Sequence, residues 1–204
     1  MASAKADINF EKELFEAANR MRATVAPSDY KHIVLPLIFL RYLSLRYDKR
    51  RRELEQMVRD PNSPYHFEDP ELIREVLDDR DQYIAERVYV LPPEAHWSHI
   101  VKNAKQPNIK ETLDNAMKLI EAENPELVGV LPRIYQATNL PSENLAALIE
   151  IFSRDVFSSS SDDAVDVLGR VFEYFIGNFA SSEGNRGGQF FTPKSIVELL
   201  VAML

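Results

Sequence analysis

Apolar residues recur at the 3.6-residue period of an α-helix along most of this 204-residue chain, and this pattern limits the fold more than any other feature. Regular stripes begin at Phe10, Ile109 and Leu145. Strand signals are sparse, since only residues 87–91 form a β-prone run, which ends at two prolines. The pattern therefore predicts a mainly α protein with an irregular helical domain.

One predicted helix is longer than the others. Ser28 is a candidate N-cap for a helix that continues to about Val58. Pro36 falls within this stretch and has two possible roles. It either kinks the helix or marks its true first turn.

Composition excludes several classes of protein. The chain has no cysteine, so a disulfide framework and a cysteine zinc site are excluded. The segment from Met1 to Lys5 leads directly into charged residues without an apolar signal core, and no run of about 18 apolar residues is present. We expect a cytoplasmic protein without a membrane partner.

The net charge of −8 argues against nonspecific coating of nucleic acid by the whole surface, but a local basic patch remains possible. Between Arg41 and Arg52 the chain has six cationic residues and one acid, Asp48. This basic segment is either a solvated helix face or a contact for DNA phosphates or an acidic partner. The candidate nucleic-acid contacts are Arg46, Lys49, Arg50, Arg51 and Arg52.

His96 and His99 flank Trp97 at a spacing that two metal ligands on a helix could use. No third histidine lies at a useful spacing, so packing of the tryptophan with histidines at its rim is the preferred interpretation, and we assign no metal site. A nucleophile set and a phosphate-binding P-loop are not recognisable, and we assign no catalytic residue.

A glycine-aromatic turn lies near the end of the chain, from Gly187 to Lys194, and an apolar run follows from Ile196 to Leu204. Thr192 and Pro193 are typical of an N-cap followed by the first helical residue. The free N–H groups of a helix start can bind an anion, although a capped linker would show the same pattern. The sequence stops within this predicted helix, so we expect it to be the front part of a longer protein.

This turn resembles the cofactor-side motif that opens the catalytic domain of adenine-N6 DNA methyltransferases. Two further stretches, Ser28 to Ser44 and Asp166 to Phe175, are similar to the modification (M) subunit of type I restriction-modification systems. The resemblance covers nearly the whole chain and is weaker near residues 60–140. It implies a helical N-terminal domain at residues 1–158. Residues 159–204 would then contain the linker, helix and cofactor motif that open an α/β methyltransferase domain, truncated here.

The resemblance implies a subunit that transfers a methyl group from S-adenosylmethionine to adenine N6 in specific DNA. The implied cofactor contacts are Gln189, Phe190, Phe191, Thr192, Pro193 and Lys194. The implied partners are double-stranded DNA, a DNA specificity subunit, a second M subunit and a restriction subunit. The glycine-rich loop and the Asn-Pro-Pro-aromatic motif of the family are absent up to Leu204, so this segment alone should be inactive. The alternative is a non-enzymatic helical adaptor for protein interactions.

Overall fold

The computed structural model describes residues 3–157 and 164–183, which fold into α-helices joined by turns. The α-helices are α1 (Ser3–Arg20), α2 (Pro27–Arg59), α3 (Pro70–Asp78), α4 (Asp81–Ile84), α5 (Trp97–Asn103), α6 (Ile109–Glu123), α7 (Ser142–Ile151) and α8 (Ala164–Glu183). Short 3₁₀ turns lie at Pro93–Ala95, Pro125–Leu127 and Asp155–Phe157. Residues 3–157 and 164–183 contain no β-strand, and the prediction of a mainly α fold is confirmed.

Helix α2 is the longest of the described helices and begins at Pro27. Ala26 precedes it in an extended conformation and provides no side-chain cap, so the expectation that Ser28 caps this helix is wrong. Proline suits a first helical position because its φ is already helical and its missing N–H would have had no partner there. Pro36 lies inside the helix and is not its first turn, so α2 lacks the internal hydrogen bond that this residue would have donated.

Helix α8 packs against α2 and also contacts α1. The contact is rich in aromatic rings. The fully buried ring of Phe175 has its centre 5.0 Å from that of Phe15 and 6.0 Å from that of Phe152, both in edge-on arrangements. Such pairs contribute about 0.5–1.5 kcal/mol each beyond the burial of apolar area. Helix α8 is therefore part of the same core as α1 and α2, and the domain boundary at residues 158–159 stays a prediction.

Buried polar side chains of α6 and its C-cap position fix two loops to the core. Asp114 accepts hydrogen bonds from the N–H groups of Tyr135 and Gln136, each at 3.0 Å. Asn124 accepts a hydrogen bond from Val90 N–H and donates one to the Val90 carbonyl, each at 2.9 Å. The Asn124 side-chain amide bonds the N–H and the carbonyl of Val90, the two groups that would otherwise pair with a neighbouring strand. Val90, within the β-prone residues 87–91, thus has both backbone groups satisfied without belonging to a strand.

Within the part of the chain that the structure describes, no helix is both long and apolar enough to cross a membrane.

Candidate functional site: the basic segment of α2

The predicted cofactor contacts lie outside the described residues. They are Gln189, Phe190, Phe191, Thr192, Pro193 and Lys194. The last described helix, α8, ends at Glu183, and the chain continues from there towards them. Their role in binding a cofactor stays a prediction.

The basic segment, residues 41–52, lies entirely within α2. Its first cation, Arg41, is buried and takes no part in the surface. Its guanidinium donates a hydrogen bond to the Phe157 carbonyl, and its central carbon lies 5.4 Å from the centre of the Trp97 ring. Burial lowers the pKa of Arg41 to about 10, and the charge of Asp48 opposes this shift. Arg41 is therefore still cationic at neutral pH and joins α2 to the chain before α8.

Arg50 and Arg51 are bound to the segment that contains α3 and α4. The Nε of Arg50 donates to the Gln82 carbonyl at 3.0 Å, and only 12% of its side chain is exposed. The Nη1 of Arg51 donates to the Leu77 carbonyl and to Oδ1 of Asp78, each at 3.2 Å. Both arginines therefore donate hydrogen bonds within the protein itself.

Arg46 and Lys49 differ from these arginines. Together with Arg50 they line a cleft of about 180 Å³, which also contains the carboxylates of Glu53 and Glu86. Among residues 3–157 and 164–183, neither Arg46 nor Lys49 forms a hydrogen bond or an ion pair. A cation without a protein partner remains available to a phosphate group, whose contacts dominate DNA affinity.

Arg52 is half-buried near Asp48. Burial raises the pKa of Asp48, while the charges of His96, Arg41 and Arg52 lower it. The structure thus brings Arg46, Lys49 and Arg50 to one cleft and places Arg51 and Arg52 elsewhere on α2. The basic segment is a set of cations with different surroundings and not one continuous cationic face.

The histidine pair lies at a packed tryptophan. Trp97 is buried, and its indole N–H donates to Oγ of Ser153 at 2.9 Å. His96 precedes α5, with a ring nitrogen 3.1 Å from the Leu91 carbonyl, and His99 lies within α5. Residues 3–157 and 164–183 contain no group of three or more His, Cys, Asp or Glu that could hold a metal ion. These contacts support the packing interpretation.

Sequence reasoning missed an open, mainly apolar groove of about 650 Å³ between α5 and α7. The sequence of α7 gives only a weak indication of this groove. Ala146 and Ala147 lie between Glu143 and Glu150 at helical spacing, so one face of α7 combines small and acidic side chains.

Two family matches divide the chain. Residues 10–152 match the family described as the HsdM N-terminal domain, and residues 163–204 match the family described as N-6 DNA methylase.

Several curated relatives are methylase subunits of type I restriction enzymes. The chain is 40% identical over 196 residues to the MjaIX methylase subunit of Methanocaldococcus jannaschii, covering 96% of this chain and 35% of the relative. It is 24% identical over 210 residues to the MpnII methylase subunit of Mycoplasma pneumoniae, covering 93% of this chain and 38% of the relative. A third match is the HindI methylase subunit of Haemophilus influenzae, which is 41% identical over 107 residues. This match covers 49% of this chain and 24% of the relative.

A solved structure is also similar. The crystal structure of the type I restriction-modification system methyltransferase subunit from Streptococcus thermophilus has a TM-score of 0.61 and 19% identity, and the likeness covers 92% of this chain and 41% of that chain. At this identity the likeness shows the fold alone. The chain spans between about a quarter and two fifths of the lengths of these relatives. Because the match at residues 10–152 extends over most of the sequence, the chain belongs to the HsdM N-terminal domain family, found in methylase subunits of type I restriction enzymes.

Proposed function

We propose that the protein containing this chain transfers a methyl group from S-adenosylmethionine to N6 of adenine in specific DNA sequences. The observation that carries this proposal is the order of the two family matches. An HsdM N-terminal domain at residues 10–152 is followed in the same chain by an N-6 DNA methylase match at residues 163–204. The target adenine would leave the base stack to reach the catalytic pocket, as enzymes that modify bases in duplex DNA require.

The chemistry of residues 187–194 suits S-adenosylmethionine. The methionine end of this cofactor carries a carboxylate, which the Thr192 hydroxyl and free N–H groups at a helix start can bind. Gly187 and Gly188 allow the backbone to come close to a ligand. The rings of Phe190 and Phe191 offer faces for apolar parts of the cofactor and for its cationic sulfonium. When bound, the cofactor supplies the methyl group.

Assembly with other subunits follows from the family. The curated relatives are named methylase subunits of type I restriction enzymes, so this chain would act beside a specificity subunit, a second methylase subunit and a restriction subunit. The helical domain would support the assembly on double-stranded DNA. Arg46 and Lys49 are its best-placed phosphate contacts, because neither forms a hydrogen bond or an ion pair with the described residues. A purely adaptor role is less well supported, since residues 163–204 match a DNA methylase family.

The test is the chemical identity of the methylated base. The complete protein, assembled with its specificity subunit, is incubated with DNA and S-adenosylmethionine labelled in the methyl group, and the DNA is digested to nucleosides and separated. We expect the label in N6-methyl-2′-deoxyadenosine. Label in a methylated cytosine, or no transfer by the assembly, would contradict the proposal.

The chain of 204 residues alone serves as the control. We expect it to transfer no methyl group, because catalysis needs groups positioned at the reacting nitrogen and the catalytic motif of the family is absent from this sequence. Transfer by this chain alone would show that catalytic residues lie within it.

A further inference from the structure

The groove between α5 and α7 has one apolar wall on α5. Trp97 and Ile100 point into the core, whereas Val101 is 42% exposed and lines the groove. A β-branched apolar side chain in this position leaves hydrocarbon surface open to water. The wall continues into the turn after α5 through Ala104 and Pro107.

The opposite wall is one face of α7. Glu143, Ala147 and Glu150 follow the i, i+4, i+7 spacing that places residues on one side of a helix. Leu145 and Leu148 are directed into the core instead. The alanine side chains are small enough to let a second helix approach α7 near the lower end of the usual interaxial distance of about 8–10 Å.

The two walls carry charges of opposite sign. Lys102 and Lys105 lie on the α5 side, and Glu143 and Glu150 lie on the α7 side. All four side chains are exposed, and among residues 3–157 and 164–183 none of them forms an ion pair. The groove thus offers an apolar floor between a basic rim and an acidic rim, with both rims unneutralised by the described protein.

We propose that this groove is a docking site for an amphipathic helix of another protein chain, with basic residues seven positions apart along one edge and acidic residues along the other. The spacing follows from α7, since Glu143 and Glu150 are separated by seven residues, or about 10 Å along the helix. A partner helix lying along α7 places basic side chains at that interval opposite the two glutamates. Its apolar face covers the alanines and Val101, and its acidic edge meets Lys102 and Lys105.

A helix fits these walls better than other occupants. An added β-strand needs unpaired backbone groups at a sheet edge, whereas both walls consist of helices or tight turns. A helix satisfies its own backbone hydrogen bonds and needs only side-chain contact. An anionic membrane surface would be repelled by the acidic rim of Glu143 and Glu150.

Three synthetic helical peptides of equal length and identical apolar face test the proposal. The mixed peptide carries lysines on one edge and glutamates on the other, and the other two carry lysines or glutamates on both edges. Binding of each labelled peptide to the full chain is measured by fluorescence anisotropy. We expect the mixed peptide to bind about threefold to tenfold more tightly than either single-sign peptide, since exposed ion pairs are individually weak.

Two groove variants and one control sharpen the result. Lys102→Glu with Lys105→Glu makes both rims acidic, so the peptide with lysines on both edges should become the tightest ligand. Ala147→Trp fills the groove and should weaken the mixed peptide at least tenfold. Lys118→Glu reverses an exposed charge on α6 outside the groove and should change nothing. Circular dichroism confirms that each variant is folded.

The proposal is overturned if no peptide binds, if the Lys102 and Lys105 variant leaves the order of affinities unchanged, or if Ala147→Trp leaves the affinity for the mixed peptide unchanged. It is also overturned if sedimentation velocity shows that the chain pairs with a second copy and Ala147→Trp abolishes this pairing. In that case the occupant is the chain itself.

Discussion

A single buried carboxylate organises the loop after the 3₁₀ turn at Pro125–Leu127. Glu121 on α6 is 4% exposed and accepts hydrogen bonds from the N–H groups of Gly129 at 3.1 Å and Leu131 at 3.0 Å. Its other oxygen pairs with Arg133. Gly129 has a φ of +76°, in the left-handed region where glycine meets no steric cost. The sequence of this loop allows the turn at Gly129, and the Glu121 side chain holds it in place.

This carboxylate should make stability depend on pH. Burial raises the pKa of Glu121, but the hydrogen bonds from Arg133, Leu131 and Gly129 outweigh burial and leave the pKa lowered. A group whose pKa is lower in the folded state stabilises that state above its unfolded pKa of about 4.5, and this contribution is lost as the pH falls through the folded pKa. Glu121→Gln should lower the free energy of unfolding by about 1–2 kcal/mol at neutral pH and by less in acid.

Urea unfolding near pH 7 and near pH 3 measures this difference. Glu126→Gln, an exposed carboxylate on the neighbouring 3₁₀ turn, is the matched control and should have little effect. An equal loss at both pH values would show that Glu121 acts by packing and not through its charge.

At the scale of elements, α2 both packs against α8 and carries the basic segment. One side of it receives α8, and its second half carries the basic segment. Within three consecutive positions of that half, Lys49 is unpaired in the described structure while Arg50 and Arg51 are bound to the α3–α4 segment. A helix rotates successive residues around its axis, so neighbours in sequence face different surroundings.

The two classes of cation should respond differently to mutation. Arg46→Glu with Lys49→Glu should weaken DNA binding by the assembled methyltransferase. The slope of log affinity against log salt should become shallower by roughly 2, because each phosphate contact contributes about 0.9. The free energy of unfolding should fall by only about 0.5 kcal/mol, because the new acids lie near Glu53 and Glu86 but no hydrogen bond of the described residues is lost.

Arg50→Ala with Arg51→Ala is the comparison. Loss of the hydrogen bonds to Gln82 and Leu77 should lower the free energy of unfolding by about 1–3 kcal/mol. An unchanged affinity and salt slope in the Arg46 and Lys49 variant would favour a solvated face. Failure of that variant to assemble would instead indicate a protein partner.

The attachment of α8 depends on its aromatic face. Phe175→Ala removes a fully buried ring that contacts Phe15, Phe152 and Phe179, and should lower the free energy of unfolding by about 3–5 kcal/mol. Glu173→Ala on the exposed face of α8 is the matched control and should stay within about 0.5 kcal/mol of wild type. Denaturant unfolding of both variants measures the difference. A small effect of Phe175→Ala would mean that α8 is not part of the core.

At the scale of the whole molecule, α8 is the last described helix before the predicted cofactor motif. Because α8 packs on α2, the position of its last described residue, Glu183, is fixed relative to the helical core. Residues 163–204 match the N-6 DNA methylase family, so α8 lies within that match and packs against α2, which lies within the HsdM N-terminal match. We expect the two parts to be mechanically connected in the complete protein.

The predicted cofactor motif is tested in the complete protein by Thr192→Ala combined with Phe191→Ala. Loss of a helix N-cap costs about 1 kcal/mol, and loss of the ring removes a packing face for the cofactor. We expect S-adenosylmethionine to bind at least about tenfold more weakly, which corresponds to about 1.4 kcal/mol. Calorimetric titration measures the affinity, and circular dichroism should show an intact helical domain. Wild-type affinity in the double variant would mean that this turn is only a linker.

The sequence by itself determined the helical class and the main helices. Apolar residues at 3.6-residue spacing are a local signal, and any chain with such stripes must bury them, so α6, α7 and the core face of α8 were predictable. Asp69 before Pro70 likewise begins α3, where its carboxylate accepts a hydrogen bond from the Glu71 N–H. The resemblance of the two quoted stretches also indicated the family, which the match at residues 10–152 confirms.

Only the tertiary structure decided how polar side chains are used. Residues 87–91 have strand propensity, yet Asn124, far along the chain, takes both backbone groups of Val90. The basic segment is continuous in sequence, yet Arg41 is buried against Trp97 while the half-buried Lys49 has no hydrogen-bond or ion-pair partner among the described residues. In each case the outcome depends on a partner distant in sequence, and composition and periodicity contain no information about which distant group will lie within hydrogen-bonding distance.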